Sequence, residues 1–246
     1  MKYITDYNQQ GTEIRFYEED HIYETDKVKN FVSCTTFLGR FFEVFDTINI
    51  SQRYADKRGY NVEDVREAWR LKSLNATILG KKMHRLCECI LNGEKCDVKP
   101  IGEDELKLFK EARIRMLEIL EEYDIIATEK IVFSEKLCLS GAMDVLMRRK
   151  KDSILYIGDF KTGHDITFEN QWRNGLSPIR HLTDSNGYHY ALQTELYKFL
   201  LKYGGYIDKK EKVRKIIIHF SLEDGVSTLR MPNMFEEMKS LIDTLK

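Results

Sequence analysis

The sequence predicts an α/β fold of the α+β kind: a mixed central sheet flanked by helices, with a mainly helical N-terminal addition. Three observations carry that reading. The first half of the 246-residue chain holds long stretches in which apolar residues recur every three or four positions. The middle holds three strand-like runs in quick succession, rich in β-branched and aromatic residues. The last quarter alternates helix, strand and helix.

In chain order, residues 13–32 mix aromatic, β-branched and charged residues and read as a small β-hairpin. Thr35–Phe45 reads as a helix capped by Ser33 or Thr35. Asn61–Leu91 is helical, with Val62, Val65, Trp69 and Leu71 at helical spacing. Glu103–Tyr123 is a strongly amphipathic helix whose expected apolar stripe is Leu106, Phe109, Ile114, Leu117 and Leu120. The runs IIATEKIVFS, LCLSGAMDVLMRR and SILYIGDFK are strands, the last two joined by a turn at Arg148–Lys151 with Asp152 and Ser153. A polar, irregular stretch covers Thr162–Gly187. The helix YHYALQTELYKFLLKYG follows, ended by Gly204–Gly205. Lys215–Phe220 is a buried strand, and FEEMKSLIDTL a closing helix. With three prolines, no Gly/Ser-rich linker and no repeat, residues 1–246 read as one domain. Its parts are 1–125 (mainly helical), 126–222 (sheet) and 223–246 (C-terminal helix).

Hydrophobic residues make up 42% and charged residues 32%, which excludes a disordered chain. A net charge of −1 neither favours nor excludes nucleic acid, since an acidic site and a basic groove cancel in the sum. Five cysteines, an odd number with no Cys-x-x-Cys pair, argue against a disulfide scaffold or zinc knuckle. They read as buried or incidental thiols in a reducing compartment. The N-terminus shows no signal peptide and no window approaches a membrane span, so an intracellular protein without a membrane partner is expected.

The chemistry concentrates in Gly141-Ala-Met-Asp144 and Ile157-Gly-Asp159-Phe160-Lys161-Thr162-Gly163. Two acids on successive strands meet at one end of a sheet and offer oxygen ligands to a hard divalent cation such as Mg²⁺. Lys161 is two residues beyond Asp159, so both share one face of a strand, and Phe160 packs on the other. From that place Lys161 can orient or help activate a water and can stabilise charge on a phosphate. Taken alone, either acid could merely end a strand. The flanking pattern is what argues against that.

These residues resemble the core pattern of the PD-(D/E)XK nuclease superfamily. Gly141-x-x-Asp144, Asp159-x-Lys161-Thr162-Gly163 and Gln193-Thr-Glu-Leu-Tyr197 resemble its RecB-type branch. Gly80-Lys81-Lys82-Met-His84 is similar to the branch motif in which a helix-borne histidine is a further metal ligand. His21-x-Tyr23, Ser33-x-Thr35 and the order of Trp69, Gly80, His84, Asn186, Tyr190, Gln193 and Tyr197 resemble branch exonucleases of phages, large DNA viruses and mitochondria. The likeness touches roughly residues 20–220.

The resemblance implies a restriction-endonuclease-like sheet. It also implies a Mg²⁺- or Mn²⁺-dependent deoxyribonuclease leaving 5′-phosphates. Asp144, Asp159 and Lys161 are the implied catalytic residues, with Gln193 and Tyr197 bordering them. His84, Asp144, Asp159 and the Phe160 carbonyl are the implied metal ligands, with Glu88 and Glu129 outside them. Lys81, Lys82, Arg85 and Thr162 are candidates for contacting DNA. The expected substrate is DNA that is single-stranded or has single-stranded ends, trimmed by an exonuclease or flap-cutting activity in replication, recombination or repair. The helical first half could form an arch over the site. No P-loop is present, so unwinding would fall to a helicase or recombination partner. Sister enzymes with an iron–sulfur cluster carry four cysteines. This chain lacks a C-terminal cysteine set, so no cluster is expected. The competing readings are a restriction-type or structure-specific endonuclease, a catalytically silent DNA-binding protein of the same fold, and a small-molecule metallohydrolase. The absence of H-x-H and H-E-x-x-H motifs weighs against the last.

Overall fold

The computed structural model describes residues 3–245. It opens with an antiparallel meander of β1 (Ile4–Tyr7), β2 (Glu13–Tyr17) and β3 (Ile22–Glu24). The hairpin expected over 13–32 is β2–β3. β1 was not expected, because its four residues are largely exposed and show no apolar alternation. It is held from outside: Asp6 accepts a hydrogen bond from the Ile131 amide at 2.9 Å and pairs with Lys130.

Next come the short β4 (Val32–Ser33) and α1 (Cys34–Gly39). Ser33 caps α1, its hydroxyl accepting from the Thr36 amide at 3.1 Å. The helix stops well short of Phe45. Phe41 and Phe42 are drawn into the core, and the Leu176 amide donates to the Phe41 carbonyl at 2.7 Å, so tertiary burial turns the chain. An unexpected helix follows, α2 (Thr47–Arg58), capped by Asp46 and closed by Gly59 at φ 68°. Only Ser51 and Ala55 of it are buried, which is why no apolar stripe announced it.

The helix α3 (Val62–Asn92) starts on Asn61, whose side chain accepts from the Glu63 and Asp64 amides, and ends at Gly93 with φ 68°. Its 31 residues span roughly 46 Å. All eight residues 71–78 are exposed, so the middle of α3 is a bare stalk. Beyond it the N-terminal turns pack on α2, and the C-terminal turns bury Leu79, Met83, Leu86, Cys87 and Leu91 against the sheet. Leu71 is therefore a solvent-facing stalk residue rather than core.

In α4 (Gly102–Glu122) the expected stripe is rotated. Leu108, Phe109, Ala112, Met116 and Ile119 are buried, Leu120 is half-buried, and Leu106, Ile114 and Leu117 face solvent. This helix is apolar on more than one face, so periodicity alone had two answers; the choice was made by packing on α3 and the sheet.

The central sheet comprises β4, β5 (Tyr123–Ser134), β6 (Leu139–Arg149), β7 (Leu155–Thr162), β8 (Val213–Ser221) and β9 (Gly225–Arg230). Its order is β4-β6-β7-β8-β9, with β5 pairing β6. β6–β7, β5–β6 and β8–β9 are antiparallel, while β4–β6 and β7–β8 are parallel. The sheet thus recruits β4 from the N-terminal part and β9 from beyond residue 222, and it breaches both expected internal boundaries. β9 was not expected because none of its six residues is buried. Helices α5 (Asn186–Tyr203) and α6 (Phe235–Asp243) complete the chain.

Successive residues of a strand serve opposite faces. Ile157 and Ile217 join the core shared with α1, α5 and α6, whereas Tyr156, Phe160, Ile216 and Ile218 join the one shared with α3 and α4. A mixed sheet covered on both faces is an α+β architecture. No helix is long and apolar enough to cross a membrane among the described residues.

Candidate active site

The site lies where the sheet opens. β6 and β7 are paired from Arg148↔Leu155 to Val145↔Gly158, and β4 meets the start of β6 at Leu139 and Ser140. Between these two partners, residues 141–144 of β6 have no ladder neighbour on that edge. Asp144 and Asp159 are the first residues past the last β6–β7 pair. The Asp144 carboxylate fills the gap by accepting a short hydrogen bond from the Phe160 amide through Oδ2. Backbone pairing that the strands give up is thereby recovered by an acidic side chain, which is pinned as a result.

Glycine explains the approach of the surrounding elements. A Cβ on Gly141 would lie 2.7 Å from Cys34 Sγ and 2.8 Å from Tyr197 Cε1, so α1 and α5 can close on β6 only over a bare backbone. On α3, a Cβ at Gly80 would come 3.2 Å from Thr162 Oγ1. That close approach seats His84, one turn later, over the end of β7. Its Nε2 is 3.0 Å from the Phe160 carbonyl oxygen and its Nδ1 3.3 Å from Asp144 Oδ1.

Glu129 completes the group. It lies opposite Asp144 across β5–β6, flanked by the pairs Thr128↔Val145 and Lys130↔Met143. Its φ of 48° is a left-handed conformation rare for glutamate, a strain of the kind that gathers at functional sites. The sequence suggested a glutamate at the start of a strand; it stands instead in the middle of one. One ligand atom each from His84, Glu129 and Asp144 lie within 4.8 Å of one another. Asp159 is outside that set. It is 1% exposed, and Lys161 Nζ lies 2.6 Å from its Oδ2. The ammonium is near enough for charge attraction yet not aligned for a hydrogen bond, so Oδ2 is a buried oxygen without a directed donor. A metal coordinated by oxygen and imidazole fits these donors.

The charges are strongly coupled. Burial pushes Asp159 up to about 6, with Asp144 adding to the rise and Lys161 opposing it. Burial likewise works to raise Asp144, but His84 and Lys161 outweigh it and hold that carboxylate low. His84 is pushed up to about 9, because the carboxylates of Asp144 and Glu129 overcome the burial that would lower it. Glu129 rises to about 7 through lost hydration and the charge of Asp144. Since its side chain is solvent-accessible, the repulsion from Asp144 is the firmer cause. Burial would lower Lys161, and Asp159 and Asp144 reverse that, leaving the ammonium above its ordinary value. Lys161 also sits 5.1 Å over the Tyr190 ring.

The other expected residues fall at different distances from this centre. Gln193 Nε2 donates to the Tyr197 hydroxyl at 2.8 Å, and Tyr197 is 4% exposed. Tyr197 is thus packed beneath Gly141, where it supports β6 and feels the charges of Asp159 and Asp144. Glu88 is engaged by Arg85 at 2.8 Å. Arg85 also lies within 3.5 Å of Glu94, and Lys82 pairs with Glu105 at 2.8 Å. Both cations are largely neutralised where they stand. Lys81 is exposed and has no acidic partner within 4 Å among the described residues. Arg66 and Arg70, further up α3, are paired with Glu63 and Glu67. Thr162 sits half-buried against Gly80. Tyr190, which the sequence placed in the motif order without a role at the site, is a contact of Lys161. The cysteines are all free, with Cys34, Cys87 and Cys89 buried, Cys96 half-buried and Cys138 exposed.

No protein-family model matches the chain, and no curated protein sequence matches it.

Proposed function

We propose that the protein is a metal-dependent deoxyribonuclease that hydrolyses phosphodiester bonds, acting on single-stranded DNA ends as an exonuclease or flap-trimming enzyme. The observation that supports it most is the convergence of His84, Glu129 and Asp144 beside the Asp159–Lys161 pair, at an opening in the sheet. Together with the resemblance in the motifs, this favours Mg²⁺ or Mn²⁺ held by Asp144, Asp159, His84 and the Phe160 carbonyl, with Glu129 as an additional ligand. A cation there supplies an acidified water and neutralises charge on the phosphate.

The protein's own groups have distinct tasks in this reading. The ammonium of Lys161, beside Asp159, is placed to act as an electrostatic clamp on a phosphate oxygen and to help orient the water. The Phe160 amide fixes Asp144, and the Phe160 ring anchors that amide in the core. The Gln193–Tyr197 pair and Gly141 keep β6 and α5 in register around the two acids.

The test is incubation with 5′- and 3′-labelled single strands in Mg²⁺, Mn²⁺ or EDTA, beside a covalently closed single-stranded circle. Metal-dependent shortening of the linear strand with the circle intact is expected. Cleavage of the circle at the same rate would replace the exonuclease with an endonuclease. No cleavage with either metal would remove the nuclease reading.

A further inference from the structure

We propose that a chain of aromatic and cationic side chains leading away from the site, over Phe45, Trp69, Tyr54 and the exposed Trp172, is a stacking track for the bases of single-stranded nucleic acid. This deepens the nuclease reading and rests on it for the nature of the ligand.

The track is continuous. At the site, Lys161 lies against Tyr190 on α5. The residue before it, His189, stacks on Phe42 with ring centroids 3.8 Å apart, and its Nε2 lies 2.8 Å from Asp184 Oδ1. Asp184 Oδ2 lies 3.5 Å from Arg173 Nε, and the Arg173 guanidinium stands 5.8 Å over the Phe45 ring. Phe45 meets Trp69 at 6.2 Å, Trp69 meets Tyr54 at 5.7 Å, and Arg58 covers Tyr54 at 4.6 Å. The members come from the loop between α1 and α2, from α2, α3 and α5, and from the irregular stretch after β7, so the tertiary fold, not local sequence, builds the row.

Burial accounts for Phe42, which belongs to the core, but not for the outer residues. Trp172, next to Arg173, is 89% exposed, Val44 is likewise 89%, and Phe45 is 49%. Tryptophan offers more apolar surface than most residues, and one left almost wholly in water forgoes the gain that a partner covering it would supply. Interleaved cations define the partner. Arg58 and Lys57 have no acidic partner within 4 Å among the described residues, unlike Arg66 and Arg70 beyond them on α3. Apolar ring faces beside the unpaired Arg58 and Lys57 suit the bases and phosphates of a single strand, whose bases are free to stack. A duplex hides those faces.

The chain has two tryptophans, Trp69 within the row of ring contacts and Trp172 next to Arg173 in the chain, so its intrinsic tryptophan emission reports on this region alone. The experiment titrates the full chain, in EDTA, with oligo(dT), oligo(U) and a blunt duplex of equal length. Emission is followed in the wild type, Trp172→Ala, Phe45→Ala and Lys239→Ala, the last an exposed cation on α6 outside the track. Quenching by the single strands and not by the duplex is expected. Trp172→Ala, at a position too exposed to affect folding, is expected to weaken oligo(dT) binding about five- to hundredfold, and Lys239→Ala to bind like the wild type. Oligo(U) binding equally well would make the track indifferent to the sugar, and preferential oligo(dT) binding would make it DNA-selective; either supports stacking. Absence of quenching, equal quenching by the duplex, or unchanged affinity in both Trp172→Ala and Phe45→Ala would overturn the proposal. Because no metal is present, that outcome is independent of cleavage. A chain that cuts DNA without quenching loses the track alone, and one that quenches without cutting loses the nuclease alone.

Discussion

The imidazole of His84 stands with Nε2 3.0 Å from the carbonyl oxygen of Phe160 and its ring edge-to-face with the Phe160 ring at 5.7 Å. One residue of β7 thus offers its carbonyl toward a helix-borne histidine while its ring locks the strand in the core. Two elements 76 residues apart in sequence are brought together in this way.

Metal binding should be strongly pH-dependent because it competes with protons on this group. In the metal-free fold His84 is raised to about 9, and a ligating imidazole must be neutral. Below that pH a proton has to leave, so Mn²⁺ affinity should fall about tenfold per pH unit. Glu129 takes up a proton below about 7, so the slope should steepen there. Isothermal titration at pH 6, 7 and 8.5 checks this. A flat affinity profile, or an unchanged one in His84→Asn, would remove His84 from the ligand set.

Glu129→Gln keeps the shape of the side chain and removes its charge. If Glu129 holds the cation, Mn²⁺ affinity should drop roughly ten- to hundredfold with the fold intact, in the range typical of groups that support a metal. Equilibrium binding together with a thermal melt separates this outcome from a general loss of structure.

Gly141→Ala should destabilise by about 1–3 kcal/mol, since its Cβ would intrude to 2.7 Å from Cys34 Sγ and 2.8 Å from Tyr197 Cε1. Gly39→Ala is the control: nothing lies within 4 Å of its Cβ position, it is in a helix, and its φ is not positive. That variant should be neutral or stabilised by up to about 1 kcal/mol. Urea unfolding of the two variants reads the difference.

Away from the site, Glu195 on α5 is buried between Lys215 of β8 and Lys198, and also accepts the Met234 amide. Burial acts to raise Glu195, but Lys215 and Lys198 prevail and hold it below its ordinary 4.5. Lys215 is itself lowered, burial outweighing its attraction to Glu195. The stabilisation from Glu195 is therefore complete above pH 4.5 and lost as pH falls through its depressed folded value. Glu195→Gln leaves Lys215 buried without its counter-charge and should cost roughly 3–5 kcal/mol. It should also flatten the acid limb of the stability–pH curve, which chemical unfolding between pH 3 and 6 measures.

How much of this was legible before folding depends on the kind of signal each residue carried. Asp144, Asp159 and Lys161 sit in apolar runs with period two, so their shared face could be read directly, and the structure places Asp159 beside Lys161. His84 was legible through Gly80, whose missing side chain admits Thr162. Glu129 was placed at the wrong point of its strand because a positive φ inside a strand leaves no compositional mark. The ion pairs of Lys82 with Glu105 and of Arg85 with Glu88 were not legible, since they are tertiary or depend on helix rotation. α2 escaped because it buries almost nothing, and the stripe of α4 was misassigned because a helix apolar on several faces does not say which one meets the sheet. The aromatic track was invisible as a unit, being assembled from five separate segments.

The most direct test of the proposed chemistry is the rate of single-strand hydrolysis by Lys161→Ala and Lys161→Arg against the wild type in saturating Mn²⁺, with thermal melts in parallel. The expected result is metal-dependent cleavage in the wild type, a loss of roughly a hundred- to thousandfold in Lys161→Ala, partial retention in Lys161→Arg, and similar melting for all three. Cleavage by Lys161→Ala at the wild-type rate would contradict it and move the catalytic centre away from this opening in the sheet.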